Sequence, residues 1–201
     1  MIQGLLLAAG RSSRFGANKL LCRLSDGTPV ALAAARNLAA ALGEILVVAR
    51  PEDAELIRLF EASGLGRVLP CAESANGMGH SLACGVQARP AADGWVVALG
   101  DMPHIQPASI REVARRLAAG ASIAAPTYRG RRGHPVGFAA AFYSDLAGLT
   151  GDIGARDLIQ RHRDLVELFP CDDPGTVYDL DRPADLNTAA AAPLPPRGGE
   201  G

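Results

Sequence analysis

Two hydrophobic patterns alternate along the chain. Short, almost continuously apolar runs are typical of buried strands, and longer stretches with one polar side are typical of amphipathic helices. The runs predicted as strands are IQGLLLAAG (2–10), EILVVAR (44–50), GRVLPCA (66–72), GWVVALGD (94–101) and SIAAPTY (122–128). The stretches predicted as helices are VALAAARNLAAAL (30–42), PEDAELIRLFEASG (51–64), GMGHSLACGVQA (77–88) and PASIREVARRLAAG (107–120). This alternation indicates an α/β fold with a mostly parallel sheet covered by helices on both faces.

The pattern changes after residue 128. The segment TYRGRRGHPVGF (127–138) predicts a hairpin or loop around Gly130–Gly133. Further on we predict a short helix, two strands and a closing helix, in the order GARDLIQRHRDL (154–165), VELFPCD (166–172), TVYDLD (176–181) and RPADLNTAAAA (182–192). We assign residues 1–192 to a single domain and expect the tail 193–201, which has few apolar residues, to be disordered.

Composition and charge narrow the class of protein. Of the 201 residues 48% are hydrophobic and 20% charged, which is typical of a globular chain. The formal net charge of −1 provides no overall basic field, so we expect neither nucleic acid nor a membrane as a partner. No apolar run approaches the roughly 20 residues of a membrane span, and the N-terminus lacks a signal-peptide pattern. We therefore expect a cytoplasmic protein.

The cysteine pattern agrees with that compartment. The four cysteines lie far apart in the sequence and form no CxxC pair, which argues against a zinc site or a disulfide framework and fits a reducing environment. They are Cys22, Cys71, Cys84 and Cys171.

The loop after the first predicted strand has the features of an anion site. Gly10 and Gly16 let the backbone approach a ligand closely, and the serines of GRSSR can donate hydrogen bonds. Arg11, Arg14 and Lys19 supply positive charge for a polyphosphate. The loop is neither a P-loop nor a dinucleotide-binding GxGxxG, and a solvated basic turn is the alternative interpretation.

The full stretch LLLAAGRSSRFGANKLL (5–21) strongly resembles the signature LAAGxSxRxGxxK of the nucleotidyltransferases of molybdenum cofactor biosynthesis. Within the MobA-like NTP transferase family, the resemblance is to the molybdopterin cytidylyltransferase branch. Other segments follow in the family's order, namely GMGHSLACGV (77–86), ALGDMPHI (98–105), GRRGHPVGF (130–138), GDIGAR (151–156) and YDLDRPADL (178–186). The resemblance thus covers nearly the whole chain apart from the tail.

The resemblance implies a three-layer α/β/α sandwich with a Rossmann-like sheet and transfer of CMP from CTP to a molybdopterin phosphate. Pyrophosphate leaves, and Mg²⁺ is the implied cofactor. The implied catalytic residues are Arg14, Lys19 and Asp101. The implied nucleotide-binding residues are Leu7, Ala8, Ala9, Gly10, Arg11, Ser12, Lys19, Gly77 and Ser81. A molybdoenzyme or its chaperone is a candidate protein partner.

Asp101 is the candidate metal ligand that the residues themselves support. It ends the predicted buried strand 94–101, at the sheet edge where α/β folds bind ligands. Mg²⁺ takes one or two carboxylates together with phosphate oxygens and water. The alternative is that Asp101 caps the next helix. Within DLDRPADL we favour Asp181 as a second metal ligand over Asp179 and Asp185, the alternative being turn chemistry before Pro183.

Two further residues are assigned to the acceptor. His134 lies between glycine and proline, so it is held in a constrained backbone and can contact the acceptor; the alternative is a loop histidine bonded to backbone. Asp152, in GDIGAR, is assigned to the acceptor with it. The serines of the first loop are not expected to be nucleophiles, because GRSSR lacks the GxSxG elbow.

Other functions remain open at this stage. The guanylyl branch typically has LAGG where this chain has LAAG, so Ala9 favours CTP, although sugar and isoprenoid cytidylyltransferases also use LAAG-type loops. A further interpretation is a non-catalytic protein that delivers the cofactor to a molybdoenzyme. The presence of Arg14, Lys19 and Asp101 argues for an enzyme.

Overall fold

The computed structural model describes residues 1–10 and 18–187. The strands are β1 (Ile2–Leu7), β2 (Ile45–Ala49), β3 (Arg67–Pro70), β4 (Gly94–Leu99), β5 (Ile123–Tyr128), β6 (Arg131–Arg132), β7 (Val136–Ala139) and β8 (Val166–Pro170). The α-helices are α1 (Val30–Leu42), α2 (Ala54–Ser63), α3 (Met78–Gln87), α4 (Pro107–Ala118), α5 (Tyr143–Ala147) and α6 (Arg156–Arg161). Short 3₁₀ turns span Lys19–Leu21, Ala72–Asn76, Ala140–Phe142, Arg163–Leu165, Pro174–Val177 and Pro183–Asn187.

All eight strands belong to one mixed sheet in the order β3-β2-β1-β4-β7-β5-β6, with β8 paired to β5. Strands β3, β2, β1 and β4 are mutually parallel, and β7 runs antiparallel between β4 and β5. The strand order reverses at β1, since β2 lies on one side of it and β4 on the other. In α/β sheets a ligand crevice forms outside the carboxyl ends of strands at such a switch point.

Helices cover both faces of the sheet because successive strand side chains point to opposite sides. Leu6 of β1 and Val96 of β4 belong to a buried cluster with α1, α2 and α4. Leu5 of β1 and Val97 of β4 belong to a second cluster with α3, α5 and α6. The layers are therefore helix, sheet and helix, which confirms the predicted three-layer α/β fold.

The elements predicted before residue 128 are confirmed to within a few residues, and the predicted hairpin is the antiparallel pair β5–β6. The start of α2 moves from residue 51 to Ala54, because Pro51 and Glu52 form a turn that the Arg50–Asp53 ion pair holds closed. No α-helix was predicted at 143–147, where α5 lies.

The C-terminal prediction was wrong for TVYDLD. Residues 174–177 form a 3₁₀ turn, and residues 178–182 have no regular structure. The carboxylate of Asp173 accepts a hydrogen bond from the amide of Gly175 at 3.0 Å, which closes the turn. The closing helix is the 3₁₀ turn Pro183–Asn187 as far as the structure describes it.

The tail 193–201 and residues 188–192 lie outside the described residues, so the assignment of residues 1–192 to one domain stays a prediction. Among the helices of residues 1–10 and 18–187, none has the length and apolar character needed to cross a bilayer.

Candidate functional site

A cleft of about 430 Å³ lies outside the carboxyl ends of β1 and β4, at the switch point of the sheet. Its lining comes from the ends of both strands, from the Lys19–Leu21 turn, and from the segment around the start of α3. The lining residues are Leu7, Ala9, Gly10, Lys19, Leu20, Ser74, Ala75, Gly77, Met78, Ser81, Leu99, Asp101 and Asp152. Eight of the residues predicted for the site therefore lie on one cleft: Leu7, Ala9, Gly10, Lys19, Gly77, Ser81, Asp101 and Asp152.

Backbone hydrogen bonds set the floor of the cleft. The amide of Ala8 donates to the carbonyl of Val48 at 2.8 Å, and the amide of Gly100 donates to the carbonyl of Leu7 at 2.9 Å. Ala8 is itself fully buried beneath the lining, whereas Gly10 is exposed. The predicted residues Arg11, Ser12 and Arg14 lie outside the described residues.

Lys19 and Asp101 line one side of the cleft, and Asp181 lies beside Lys19; we call these three residues the charged wall. The Lys19 ammonium lies 2.7 Å from a carboxylate oxygen of Asp101 and 3.7 Å from one of Asp181. Asn18 begins the turn that carries Lys19 and accepts a hydrogen bond from the amide of Leu20 at 3.2 Å. The lysine is the only one in the sequence. Its two carboxylate partners are the two residues that the sequence suggested for a metal.

The charged wall depends on a C-terminal segment that crosses the sheet edge. The Lys19 ammonium donates to the carbonyl of Leu180 at 3.0 Å, and the amide of Leu180 donates to the carbonyl of Asp101 at 3.0 Å. These two bonds hold Asp181 beside the strand end of β4, although it lies far along the chain.

Asp173 anchors this segment, and sequence reasoning missed it. Its buried carboxylate accepts hydrogen bonds from the amide of Gln106 at 2.8 Å and from the hydroxyl of Ser109 at 2.6 Å, both near the start of α4. A Cβ on Gly175 would lie 2.2 Å from the carbonyl oxygen of His104, so only glycine allows this approach. The sequence DDPG (172–175) is a turn signal that marked the position.

Negative charge is concentrated at the charged wall. Burial raises the pKa of the Asp179 carboxyl, and the neighbouring charges of Asp181 and Asp101 raise it further, while Lys19 lowers it. Three carboxylates thus share the surroundings of one ammonium group. Carboxylate oxygens are the ligands that Mg²⁺ and Mn²⁺ prefer, so the donor set fits a hard divalent cation.

Gly77 and Asp152 line another part of the cleft, and Gly79 and Gly151 pack against each other beside them; we call these four residues the glycine wall. Gly77 has φ +124°, and a Cβ there would lie 2.4 Å from both the carbonyl oxygen of Gly151 and the carboxylate of Asp152. The amide of Gly79 donates to the carbonyl of Gly151 at 2.8 Å, and the amide of Gly151 donates to Nδ1 of His80 at 3.1 Å. Two glycine-containing segments therefore pack backbone against backbone.

His134 lies behind the charged wall and is not among the residues that line the cleft. Its backbone amide donates to the carbonyl of Thr176 at 2.7 Å, while its ring Nδ1 is buried without a hydrogen-bond partner. Burial and the nearby Arg132 charge lower the pKa of His134 to about 4, against an opposing effect of Asp101. The imidazole is therefore neutral near pH 7, and its contact with an acceptor stays a prediction.

Comparisons with known proteins agree with this geometry. The MobA-like NTP transferase domain matches residues 4–166. The chain is 29% identical to the purine catabolism protein PucB of Bacillus subtilis, over 94% of this chain and 96% of PucB. It is 30% identical to nicotine blue oxidoreductase of Paenarthrobacter nicotinovorans, over 90% of this chain and 92% of that protein.

A solved structure extends the likeness to three dimensions. Rv0371c from Mycobacterium tuberculosis H37Rv matches with a TM-score of 0.75 and 28% identity, over 92% of this chain and 94% of that one. Rv0371c has also been solved as a complex with manganese, which matches with a TM-score of 0.71.

Proposed function

Because this chain belongs to the MobA-like NTP transferase family, we propose that it is a cytidylyltransferase that transfers CMP from CTP to the terminal phosphate of a molybdopterin-type acceptor. Pyrophosphate is the leaving group. The observation that carries the proposal is the charged wall at the sheet's switch point, where Lys19 and Asp101 are 2.7 Å apart on the edge of the cleft. The family resemblance predicted from the sequence is confirmed, and the nucleotide and acceptor are our inference.

Asp101 and Asp181 are the residues that would hold Mg²⁺. When bound, the cation would offset the negative charge of the phosphates during attack on the α-phosphorus. The side chain of Asp101 lines the cleft and is 22% exposed, and that of Asp181 is 55% exposed, so both carboxylates are open to a cation from solvent. The manganese complex of Rv0371c supports a divalent cation in a related structure.

Besides its ion pair with Asp101, Lys19 has a role in the proposed transfer reaction. Its side chain is only 15% exposed, and its ammonium has carboxylate and carbonyl partners within 4 Å. A triphosphate entering the cleft brings stronger negative charge than one carboxylate. We expect Lys19 to turn toward the phosphates and to stabilise the pyrophosphate as its negative charge grows.

The terminal phosphate of the acceptor is already an anion near neutral pH, so the reaction needs little base catalysis. What the protein supplies is alignment of this phosphate with the α-phosphorus. Asp152 lines the cleft beside Gly77, so we assign the acceptor to the Asp152 end of the glycine wall, while Gly77 stays assigned to the nucleotide.

Ala9 favours CTP over GTP. It is buried at the cleft floor, and its methyl group reduces the room for a purine where the guanylyl branch has glycine. We expect CTP to be used at least about tenfold better than GTP, which corresponds to about 1.4 kcal/mol.

A nucleotide panel tests the proposal. Purified protein is given CTP, GTP, ATP or UTP with molybdopterin, with and without its molybdenum, and pyrophosphate and the product nucleotide are measured with and without Mg²⁺. Release of pyrophosphate only with CTP and a molybdopterin acceptor supports the assignment. Preference for GTP, or turnover with a sugar phosphate or a methylerythritol phosphate instead, contradicts it. CTP binding without turnover would indicate a delivery module that serves a molybdoenzyme or its chaperone.

A further inference from the structure

A second group of metal-ligating side chains lies outside the charged wall. Cys71 follows β3, Glu73 lies in the 3₁₀ turn Ala72–Asn76, and Cys84 lies in α3. The two sulfur atoms and one carboxylate oxygen all lie within 4.8 Å of one another. The Cys71 thiol donates a hydrogen bond to Oε2 of Glu73 at 3.7 Å. The fold thus brings together two cysteines that are distant from each other in the sequence.

The spacing of these atoms suits a tetrahedral cation. Zinc–sulfur bonds of about 2.3 Å and zinc–oxygen bonds of about 2.1 Å place tetrahedral ligand atoms roughly 3.6–3.8 Å apart. The separation of 3.7 Å between Sγ of Cys71 and Oε2 of Glu73 falls in that range. The upper limit of 4.8 Å for the three atoms requires only a small inward movement of side chains.

The burial of the three residues is graded from the interior to solvent. Cys71 is buried, Cys84 is partly buried and Glu73 is exposed. A cation can therefore enter from the Glu73 side, and a water molecule can complete the fourth position. Four ligands with one open to solvent is the usual arrangement of a three-residue zinc site.

We propose that Cys71, Glu73 and Cys84 form a binding site for a thiophilic divalent cation of the Zn²⁺ class. Two sulfur ligands distinguish it from the carboxylates of the charged wall, which suit Mg²⁺ and Mn²⁺. The two sites are therefore chemically separate, and this one does not depend on which nucleotide or acceptor the cleft takes.

The site lies on the same turn that borders the cleft. Ser74 and Ala75 of the 3₁₀ turn line the cleft, and Ser81 of α3 lines it one helical turn before Cys84. The Ser74 hydroxyl also donates to the carbonyl of Cys71 at 2.6 Å. A bound cation would join the end of β3 to α3 and would hold this border of the cleft in place.

Cobalt titration of the reduced protein tests the proposal, because thiolate–Co²⁺ bonds absorb in the near ultraviolet. We expect a charge-transfer band that saturates at one equivalent of Co²⁺, that one equivalent of Zn²⁺ displaces, and that Mg²⁺ leaves unchanged. Zn²⁺ should also raise the melting temperature of the metal-free protein.

Three variants make the result specific. Cys84→Ser should lose most of the band, and the exposed Glu73→Gln, which poses little risk to folding, should bind Co²⁺ at least about tenfold more weakly. The control is Cys22→Ser, a free cysteine on another part of the chain, which should bind Co²⁺ like the parent. Absence of the band in the parent, or equal Co²⁺ affinity in the parent, Cys84→Ser and Glu73→Gln, would overturn the proposal.

Discussion

The two walls of the cleft are built by opposite means. The charged wall holds an ammonium and carboxylates in ion pairs of 2.7 and 3.7 Å that remain partly exposed. The glycine wall has backbone in direct contact with backbone, and no Cβ fits at Gly77 or Gly79. One wall offers charge that can change partners, and the other offers a rigid shape.

This difference separates chemistry from geometry. The side chains of the charged wall keep part of their surface exposed, so water can solvate a charge whose partner is removed, and we expect such variants to stay folded. Close backbone packing tolerates no added atoms, so the glycine wall cannot be altered without moving its neighbours. Substitutions in the first wall should therefore lower turnover, and substitutions in the second should lower stability as well as binding.

The largest effect is expected for Asp101→Asn. The substitution keeps the size of the side chain and removes its charge, so we expect cytidylyl transfer to fall by about a thousandfold. The measurement is pyrophosphate release over a range of Mg²⁺ concentrations, with the melting temperature measured alongside. Asp93→Asn is the matched control, because Asp93 precedes the same strand at its other end and pairs with the N-terminal amine. Full activity with unchanged Mg²⁺ dependence in Asp101→Asn would exclude a metal role.

The next largest effect is expected for Lys19→Ala. Loss of the ammonium should lower kcat by about a hundredfold and weaken CTP binding less, because the charge it offsets grows on the leaving pyrophosphate. Single-turnover kinetics and equilibrium CTP binding separate the two quantities. Lys19→Arg, which keeps the charge, should recover part of the loss. Near-normal turnover in a folded Lys19→Ala protein would make this lysine a structural partner of Asp101 only.

A glycine pair tests the shape of the second wall. Gly77→Ala should lose about 1–3 kcal/mol more of the free energy of unfolding than Gly120→Ala. Both glycines have positive φ, +124° and +103°, but a Cβ on Gly120 meets nothing within 4 Å. Urea denaturation measures the free energy of unfolding of both variants, and the difference between them is the cost of the steric overlap at Gly77. CTP binding should weaken only for Gly77→Ala. Equal losses of unfolding free energy in the two variants would show that the positive φ alone, and not steric overlap, requires glycine at position 77.

The last prediction concerns the pH dependence of stability and the buried His134, behind the charged wall. Its folded pKa of about 4 lies below the ordinary value of 6.5, so between these values the unfolded chain binds more protons. The free energy of unfolding should fall as the pH is lowered through this window, by at most about 1.4 kcal/mol per pH unit from this group. Burial also lowers the pKa of His104, which acts in the same direction, while the raised pKa of Asp179 acts in the opposite one.

Denaturant unfolding of the parent and His134→Asn at pH 4, 5, 6 and 7 measures this contribution. The variant lacks the titrating ring, so the difference between the two pH slopes belongs to His134. Identical slopes would mean that the imidazole titrates alike in the folded and unfolded states.

The amino-acid sequence by itself determined the elements before residue 128 and the strand ends that carry the site. Apolar runs such as 45–49 and 94–99 interact with both helical layers, so their hydrophobicity alone identifies them as buried strands. Asp101 could be placed because it lies two residues after the end of such a strand, and Gly77 because glycine marks a turn before a helix.

Tertiary structure alone decided which distant groups meet. The TVYDLD pattern is typical of a strand, yet the backbone groups of Leu180 bond to Lys19 and Asp101. Asp173 and Gly175 hold the preceding turn against α4 and His104. Likewise, Cys71 and Cys84 approach each other because α3 packs against the turn that follows β3. Local propensity reports the conformation of neighbours in sequence, whereas such contacts depend on how complete layers pack, and no short stretch of sequence encodes that.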